Sequence, residues 1–274
     1  MKCLPSLLLL VALFSSACNK LRSDHPQAGI DRDTTATSLN AANITHYADS
    51  IEKMRTQAEK AYSLVYMLGG SSFYTEKYSL RDEPVLYIEH IVNGNGSTTK
   101  CYYLRNDSLV LHKEASTLSN DDAEVFKESR TFFRNGVGFK TDSRTASMYE
   151  ALQNQPFLTV QPGDDPAAVP AYKNLLANLE TLEDALHRRN RFDMVFDNIT
   201  AHPEAAYIVL KSKDPNGYTS SVLVKDRDAW VDSVENNVGM FKDKHLNVRF
   251  RIENGEAIYA GSEADQMAGA TKHQ

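Results

Sequence analysis

The sequence predicts an α+β protein: an N-terminal helix packed on an antiparallel β-meander, followed by a second helix and a small OB-like β-barrel. Three observations predict it. In residues 44–67, apolar side chains recur three and four positions apart, as on one face of a helix. In residues 72–142, strand-like runs alternate with Asn-Gly or Asn-Asp turns. After residue 190, three strands, a helix and two strands follow one another, which is the order of an OB-type barrel.

Composition limits the class of protein before any single motif is considered. The chain has 274 residues, of which 42% are hydrophobic, and its mean hydropathy of -0.44 is typical of a soluble globular body. The formal net charge is -6, and no block of basic residues exists that would bind a phosphate backbone. We therefore expect no nucleic-acid partner, and the sequence predicts no cofactor.

The first 17 residues are predicted to be a signal peptide. Lys2 supplies a positive start, residues 7–14 form an apolar run, and small residues precede Cys18. The run is shorter than the roughly 20 apolar residues that a membrane-spanning helix needs.

The residues before Cys18 resemble the lipobox of bacterial lipoproteins, in which small residues precede a cysteine that is acylated and becomes the new N-terminus. Cys18 matches the invariant position, and Ala17 and Ser16 match the two before it, whereas Ser15 replaces the usual leucine. The resemblance implies that Cys18 is lipidated and that acyl chains anchor the protein in the cell envelope. Asn19, in place of aspartate, implies the outer membrane rather than the inner one. The alternative is an ordinary signal peptidase site ending at Ala17.

Residues 18–42 are polar and lack an apolar period, so we expect a flexible tether between the lipid anchor and the folded body. Asp33-Thr34-Thr35 in this tether resembles a short acceptor motif that some envelope bacteria O-glycosylate.

Residues 43–160 are predicted to form the first folded unit, a helix and an antiparallel sheet. The helix covers residues 44–67 and ends at Gly69-Gly70. The expected strands are 73–80, 84–92, 98–105, 108–114, 123–133 and 137–142. The hairpins at 103–107 and 132–136 share an order of two bulky residues, an arginine and a turn pair. They resemble hairpins of uncharacterised envelope lipoproteins with a helix before a β-meander, a likeness that implies no known activity.

The Pro, Gly and Asp cluster at residues 161–166 is predicted to separate this unit from a second one at residues 167–260. The second unit begins with a helix over 170–189, whose leucines form a narrow apolar stripe. Its strands are expected at 192–199, 206–211, 218–225, 245–252 and 256–260, with a helix over 229–240. Residues 261–274 are expected to be a disordered tail.

No strong catalytic or metal-binding signature occurs in the sequence, so no catalytic and no metal-ligating residues are assigned. Cys101 lies in a strand and is expected to act as a small buried hydrophobe, since no histidine can be placed beside it. Tyrosines on strands are the candidate binding residues, because exposed aromatic side chains can hold a glycan or a peptide. These candidates are Tyr87, Tyr102, Tyr103 and Tyr218.

These features favour a non-catalytic binding or structural module that is anchored to the membrane and has an envelope protein or a glycan as its partner. One alternative is an envelope hydrolase whose site assembles from distant residues. It requires a pocket in which a carboxylate lies beside at least two of the histidines His90, His112, His202 and His245. The other alternative is an inhibitor or immunity-type module, which would form a tight stoichiometric complex with one enzyme.

Overall fold

The structure is a computed structural model that describes residues 39–120, 123–160, 170–202 and 205–262. The predicted signal peptide, Cys18, the tether up to residue 38, the boundary at 161–166 and the tail after residue 262 lie outside these residues. The contacts of the described residues from Ala41 onward form one compact unit. The predicted division into residues 43–160 and 167–260 remains a prediction.

The described residues confirm a mixed α+β fold with a large antiparallel sheet. The helices are α1 (Ala41–Met54), α2 (Tyr149–Asn154), α3 (Tyr172–Leu186), α4 (Ala229–Asn236) and α5 (Val238–Phe241). The first seven strands are β1 (Glu59–Tyr62), β2 (Tyr66–Leu68), β3 (Ser71–Leu80), β4 (Glu83–Asn93), β5 (Gly96–Arg105), β6 (Ser108–Asn120) and β7 (Ala123–Arg134). The remaining seven are β8 (Val137–Ala146), β9 (Leu158–Thr159), β10 (Met194–Ala201), β11 (Ala206–Ser212), β12 (Thr219–Val224), β13 (Val248–Glu253) and β14 (Glu256–Ser262).

Strands β3 to β8 form the predicted meander, in which each strand pairs antiparallel with the next. Two of its hairpin turns use the predicted residues. Asn106 and Asp107 both have positive φ, as do Asn135 and Gly136. A two-residue hairpin turn of this type needs positive φ at both central positions, and Asn, Asp and Gly adopt it at the least cost. The local sequence therefore determines where these two hairpins turn.

The predicted helix over residues 44–67 is too long. Helix α1 ends at Met54, Ala58 is extended, and Glu59–Tyr62 forms strand β1 on the edge of β3. Tyr66 then begins β2, which pairs with β3 on one side and β12 on the other. The apolar residues after Met54 fit a helical period, but their backbone groups are hydrogen-bonded in the sheet, which outweighs a weak local preference.

Helices α1 and α3 cover opposite faces of the meander, because successive side chains of a strand point to opposite faces. On one face, the Tyr103 hydroxyl donates to Glu52 of α1 at 2.6 Å. On the other face, Tyr102 and its neighbours pack against leucines of α3. Of the apolar stripe predicted for residues 170–189, Leu175, Leu179 and Leu182 are buried, whereas Leu176 is 38% exposed.

The last five strands lie in the order β10, β11, β12, β14, β13, and β12 and β14 are parallel. Helices α4 and α5 connect β12 to β13. The sheet is not closed into a barrel. One end of β12 pairs with β2 and the other with β14, so these strands continue the meander as one sheet. Their core includes Phe196, Ile208, Val222 and Val231. No helix in the described residues combines the length and the apolar character that crossing a bilayer requires.

Candidate functional site

A cavity of about 360 Å³ lies between helix α1 and the segment that leads into β9. We call it the basic groove. It is lined by Thr45, Asp49, Thr99, Cys101, Lys113, Glu114, Ala115, Glu128, Ser129, Arg130, Arg144 and Phe157.

The floor of the basic groove is built by two rows of side chains that cross the meander. In the first row, Cys101 pairs with Lys113, Lys113 with Arg130, and Arg130 with Asp142. Residues directly opposite one another share a face of the sheet, so all four side chains point to the face that α1 covers. The second row, two residues along each strand, consists of Thr99, Ala115, Glu128 and Arg144.

Two arginines of the basic groove are held in place from two sides. Arg130 Nε and Nη2 each lie 3.1 Å from Asp142 Oδ2, and the guanidinium lies 4.0 Å from the Phe157 ring centre. Arg144 contacts Glu128 through Nε at 2.8 Å and Nη2 at 2.6 Å, and lies 4.5 Å from the same ring. Charge-assisted hydrogen bonds and cation–π contacts both restrict an arginine side chain. The two guanidinium groups are therefore ordered before any ligand arrives.

Asp142 is the buried carboxylate that orders this end of the groove, with 1% of its surface exposed. It accepts a hydrogen bond from Thr159 at 2.9 Å and lies 3.0 Å from Lys140 Nζ. Burial alone would raise the pKa of Asp142, but hydrogen bonds from Lys140, Thr159 and Arg130 outweigh burial and hold the pKa below its usual value. Asp142 is thus an anion at neutral pH.

Lys113 differs from the arginines beside it. Its ammonium lies 4.9 Å from the centre of the Tyr103 ring, and the side chain is partly buried. Among the residues that the structure describes, no carboxylate lies within salt-bridge distance of its Nζ. Lys113 is therefore a cation on the groove floor that can pair with a ligand.

Cys101 places a thiol on the same floor. Burial raises the pKa of this thiol to about 11, an effect that Glu52 reinforces and Lys113 opposes. The thiol is protonated at neutral pH, whereas a nucleophile must be a thiolate. The sequence predicted a buried small hydrophobe, and the structure gives Cys101 partial burial at the groove.

The four candidate binding tyrosines occupy structural positions. Tyr87, Tyr102 and Tyr103 are buried, with hydroxyls donating to Glu183, Glu89 and Glu52. Tyr218 is partly buried and stacks on Phe192, with ring centres 5.0 Å apart. An aromatic surface for a glycan would need rings exposed to solvent. These four residues do not supply one.

The four histidines of the hydrolase hypothesis do not come together. His90 pairs opposite Thr99 and His112 opposite Tyr102, which places the two histidines on opposite faces of the meander. His202 is exposed, and His245 lies 3.3 Å from Asp193. None of them lines any of the four cavities described for this fold.

His112 is nevertheless unusual, because it is buried and its Nε2 has no hydrogen-bond partner among the described residues. Burial, reinforced by the charge of Lys100, lowers the pKa of His112 to about 4. Beside it, Asn178 of α3 donates to Glu89 at 2.9 Å and to Tyr102 at 2.6 Å. These hydrogen bonds attach α3 to the sheet.

A second cavity, of about 480 Å³, lies on the outer face of β10–β12 and is mainly apolar. Strand β11 alternates strictly, so Ile208 and Leu210 enter the core while Tyr207 and Val209 face this cavity. Glu256 is the only charged lining residue among the described ones. It offers apolar surface but few groups that would orient a ligand, whereas the basic groove offers several.

No family model, curated protein sequence or solved structure matches the chain. Within the described residues, no three histidine, cysteine or carboxylate side chains are arranged to hold a metal ion. The interpretation of the site therefore depends on its own geometry.

The sequence reasoning identified Cys101 but missed the groove residues Lys113, Arg130, Arg144 and Phe157. Lys113 and Arg130 lie within the predicted strands 108–114 and 123–133, so part of the signal was present in the sequence. Arg144 lies beyond the predicted strand 137–142, which the structure extends to Ala146. Combining the strands into rows required their register, which the turns alone do not determine.

Proposed function

We propose that this protein is a lipid-anchored envelope protein that binds its ligand or partner non-catalytically, with the basic groove as its binding site. The observation that carries the proposal is the ordering of Arg130 and Arg144 beside Lys113, which has no carboxylate partner among the residues that the structure describes. Preorganised polar groups in a concave site are typical of ligand binding. The protonated thiol of Cys101 favours binding over nucleophilic catalysis.

The resemblance of residues 15–18 to a lipobox supports the location. Acyl chains on Cys18 would hold the body at the membrane, since one chain binds marginally and two or three bind stably. Residues 19–42 would act as the tether, and Asn19 favours the outer membrane. At the outer membrane, the proposed partner is an envelope protein or a glycan.

The OB-like part of the fold also belongs to the proposal. The order of β10 to β14 and the helices between β12 and β13 support an open relative of the OB arrangement. Its apolar outer cavity would be a secondary surface of the same binding module.

Replacement of the acylated residue tests the anchoring. We expect full-length Cys18→Ala to move from the membrane fraction to a soluble fraction, because it has no thiol at the position that would be acylated. Cys101→Ala is the matched control and should remain in the membrane fraction. Intact-mass measurement of the native protein should show a fatty modification. An unmodified N-terminal residue, or membrane residence of Cys18→Ala, would contradict the proposal.

A further inference from the structure

The charge of the basic groove is close to balanced, with a small positive excess. Among the described residues, the charged side chains of the two rows, with Lys140 beside Asp142 and Asp49 of α1, comprise four cations and three carboxylates: Lys113, Arg130, Lys140 and Arg144 against Asp49, Glu128 and Asp142. Glu114 also lines the groove, but it follows Lys113 on β6, so its side chain points to the opposite face of the sheet. Within this described set, a single positive charge remains uncompensated.

Arg144 is matched by Glu128, whereas Arg130 and Lys140 share the single carboxylate of Asp142. Lys113, Arg130 and Lys140 thus face only Asp142 and the exposed Asp49, and the excess lies among these three cations. Lys113, in the centre of the first row between Cys101 and Arg130, is the one with no carboxylate within salt-bridge distance among the described residues. The contacts to Asp142 use Nε and Nη2 of Arg130, which leaves Nη1 as a donor next to Lys113.

The other lining residues restrict the size and the polarity of the ligand beyond its anionic group. Cys101, Ala115 and Phe157 present apolar atoms around the two donors. A volume of about 360 Å³ corresponds to roughly a dozen water-sized volumes of about 30 Å³ each. The occupant must be small, with one anionic end and an apolar body.

We infer that the basic groove binds a small monocarboxylate, whose carboxylate pairs with Lys113 and Arg130 and whose apolar body lies against Cys101, Ala115 and Phe157. The inference rests on the proposed function, since it names the ligand class of the same site. A phosphate group carries about −1.5 to −2 charges at pH 7 and would overcompensate the single positive charge. A carboxylate carries one negative charge and therefore compensates the single positive charge of the groove.

The test uses full-length protein in non-ionic detergent at low salt, and follows the NMR line width of 13C-labelled ligands during titration. Hexanoate represents a free acid, and N-acetyl-tetra-alanine represents the C-terminus of a peptide. We expect at least one of them to bind about tenfold more tightly than its neutral amide and than methyl phosphate. Tighter binding of hexanoate assigns a free acid as the source of the carboxylate, and tighter binding of the peptide assigns a chain terminus.

Two variants locate the binding in the groove. Lys113→Met should weaken binding about tenfold, while Lys127→Met, which removes an exposed lysine from the next strand, should leave it unchanged. Ala115→Leu fills the groove without changing its charge and should also weaken binding. Unfolding midpoints of all variants show whether each one folds.

The inference is overturned if the amides bind as well as the acids, if methyl phosphate binds more tightly, or if Lys113→Met and Lys127→Met behave alike. Such a result leaves the anchoring at Cys18 untouched, because fractionation of Cys18→Ala measures that separately. Loss of anchoring in turn does not affect binding to the purified protein.

Discussion

His112 lies under helix α3 with 3% of its surface exposed, and its imidazole contacts the ring of Tyr102 at a centroid distance of 4.9 Å. Burial and the charge of Lys100 make protonation unfavourable in the folded protein. In the unfolded chain the same side chain is solvated and accepts a proton at its ordinary pKa. His112 therefore couples folding to pH.

We expect the stability of the protein to fall as the pH decreases through the range between 6.5 and 4. The pKa of His112 is about 4 in the folded state against a reference of 6.5, so between these values the unfolded state binds more protons. The stabilisation from His112 is complete above pH 6.5 and is lost as the pH falls toward 4. Its magnitude is up to about 3 kcal/mol, at 1.36 kcal/mol for each pKa unit.

Urea unfolding at several pH values measures this coupling. His112→Gln should give a flatter dependence of the unfolding free energy on pH between 6.5 and 4 than the unchanged protein. His46→Gln, which removes an exposed histidine of α1, should keep the original slope. Equal slopes in all three proteins would mean that His112 does not carry the effect.

The position of His112 also shows where sequence reasoning fails at the scale of a residue. Counting back from the Asn106-Asp107 turn would pair Cys101 with His112. A β-bulge at Tyr103 and Leu104 shifts the register by one, so Cys101 pairs with Lys113 and His112 points to the other face. The turns were predictable, but the bulge has no clear signal in the local sequence. Without the position of this bulge, the set of residues that line the basic groove could not be derived from the sequence.

At the scale of an element, the predictions succeeded where the sequence fitted only one period, either that of a strand or that of a helix. All six predicted strands of the meander exist, and its Asn-Gly and Asn-Asp turns hold the predicted positions. The helix over 44–67 was too long because residues 58–65 satisfy a helical period and can also pair on the edge of β3. The pairing with β3 decides between the two, and this pairing is a tertiary contact that the period of residues 58–65 does not contain.

Helix α3 is the element whose packing can be tested most directly. Leu182 is fully buried against Tyr87 and Tyr102, whereas Leu176 on the same helix is 38% exposed. We expect Leu182→Ala to destabilise the protein by about 2–5 kcal/mol, because it removes buried contacts and leaves a cavity. Leu176→Ala should cost less than about 1 kcal/mol.

Thermal unfolding followed by circular dichroism measures the difference between these two leucine variants. For a chain of this size, each kcal/mol of destabilisation lowers Tm by about 2–4 °C. Both variants shorten a leucine to alanine on the same helix and differ only in the burial of that leucine. Equal decreases in Tm would therefore contradict the packing of Leu182 against the meander.

At the scale of the whole molecule, the described strands share one sheet, and two of its clusters of buried apolar side chains lie next to each other at helix α3. One cluster joins α3 to the meander, and the other fills the space between β10–β14 and helices α4 and α5. Tyr66 of β2 belongs to the second cluster, and its hydroxyl donates to the carbonyl of Ala185 at the end of α3. Helix α3 and strand β2 therefore contribute to both halves.

This arrangement predicts that the two halves unfold together. Separating them would break the pairing of β2 with β12 and expose Tyr66, Phe73 and Phe192, whose rings pack against one another. Trp230, the single tryptophan, lies in the C-terminal half and stacks on Tyr259, so its fluorescence reports on that half alone. Far-UV circular dichroism reports on the whole sheet, most of which is the meander.

In urea, both signals should change at one midpoint with one m-value, as a two-state transition requires. Leu182→Ala, placed under the meander, should then lower the midpoint of the Trp230 signal as much as that of the dichroism. A Trp230 midpoint that does not move with this variant would instead show that the meander and α3 unfold independently of β10–β14.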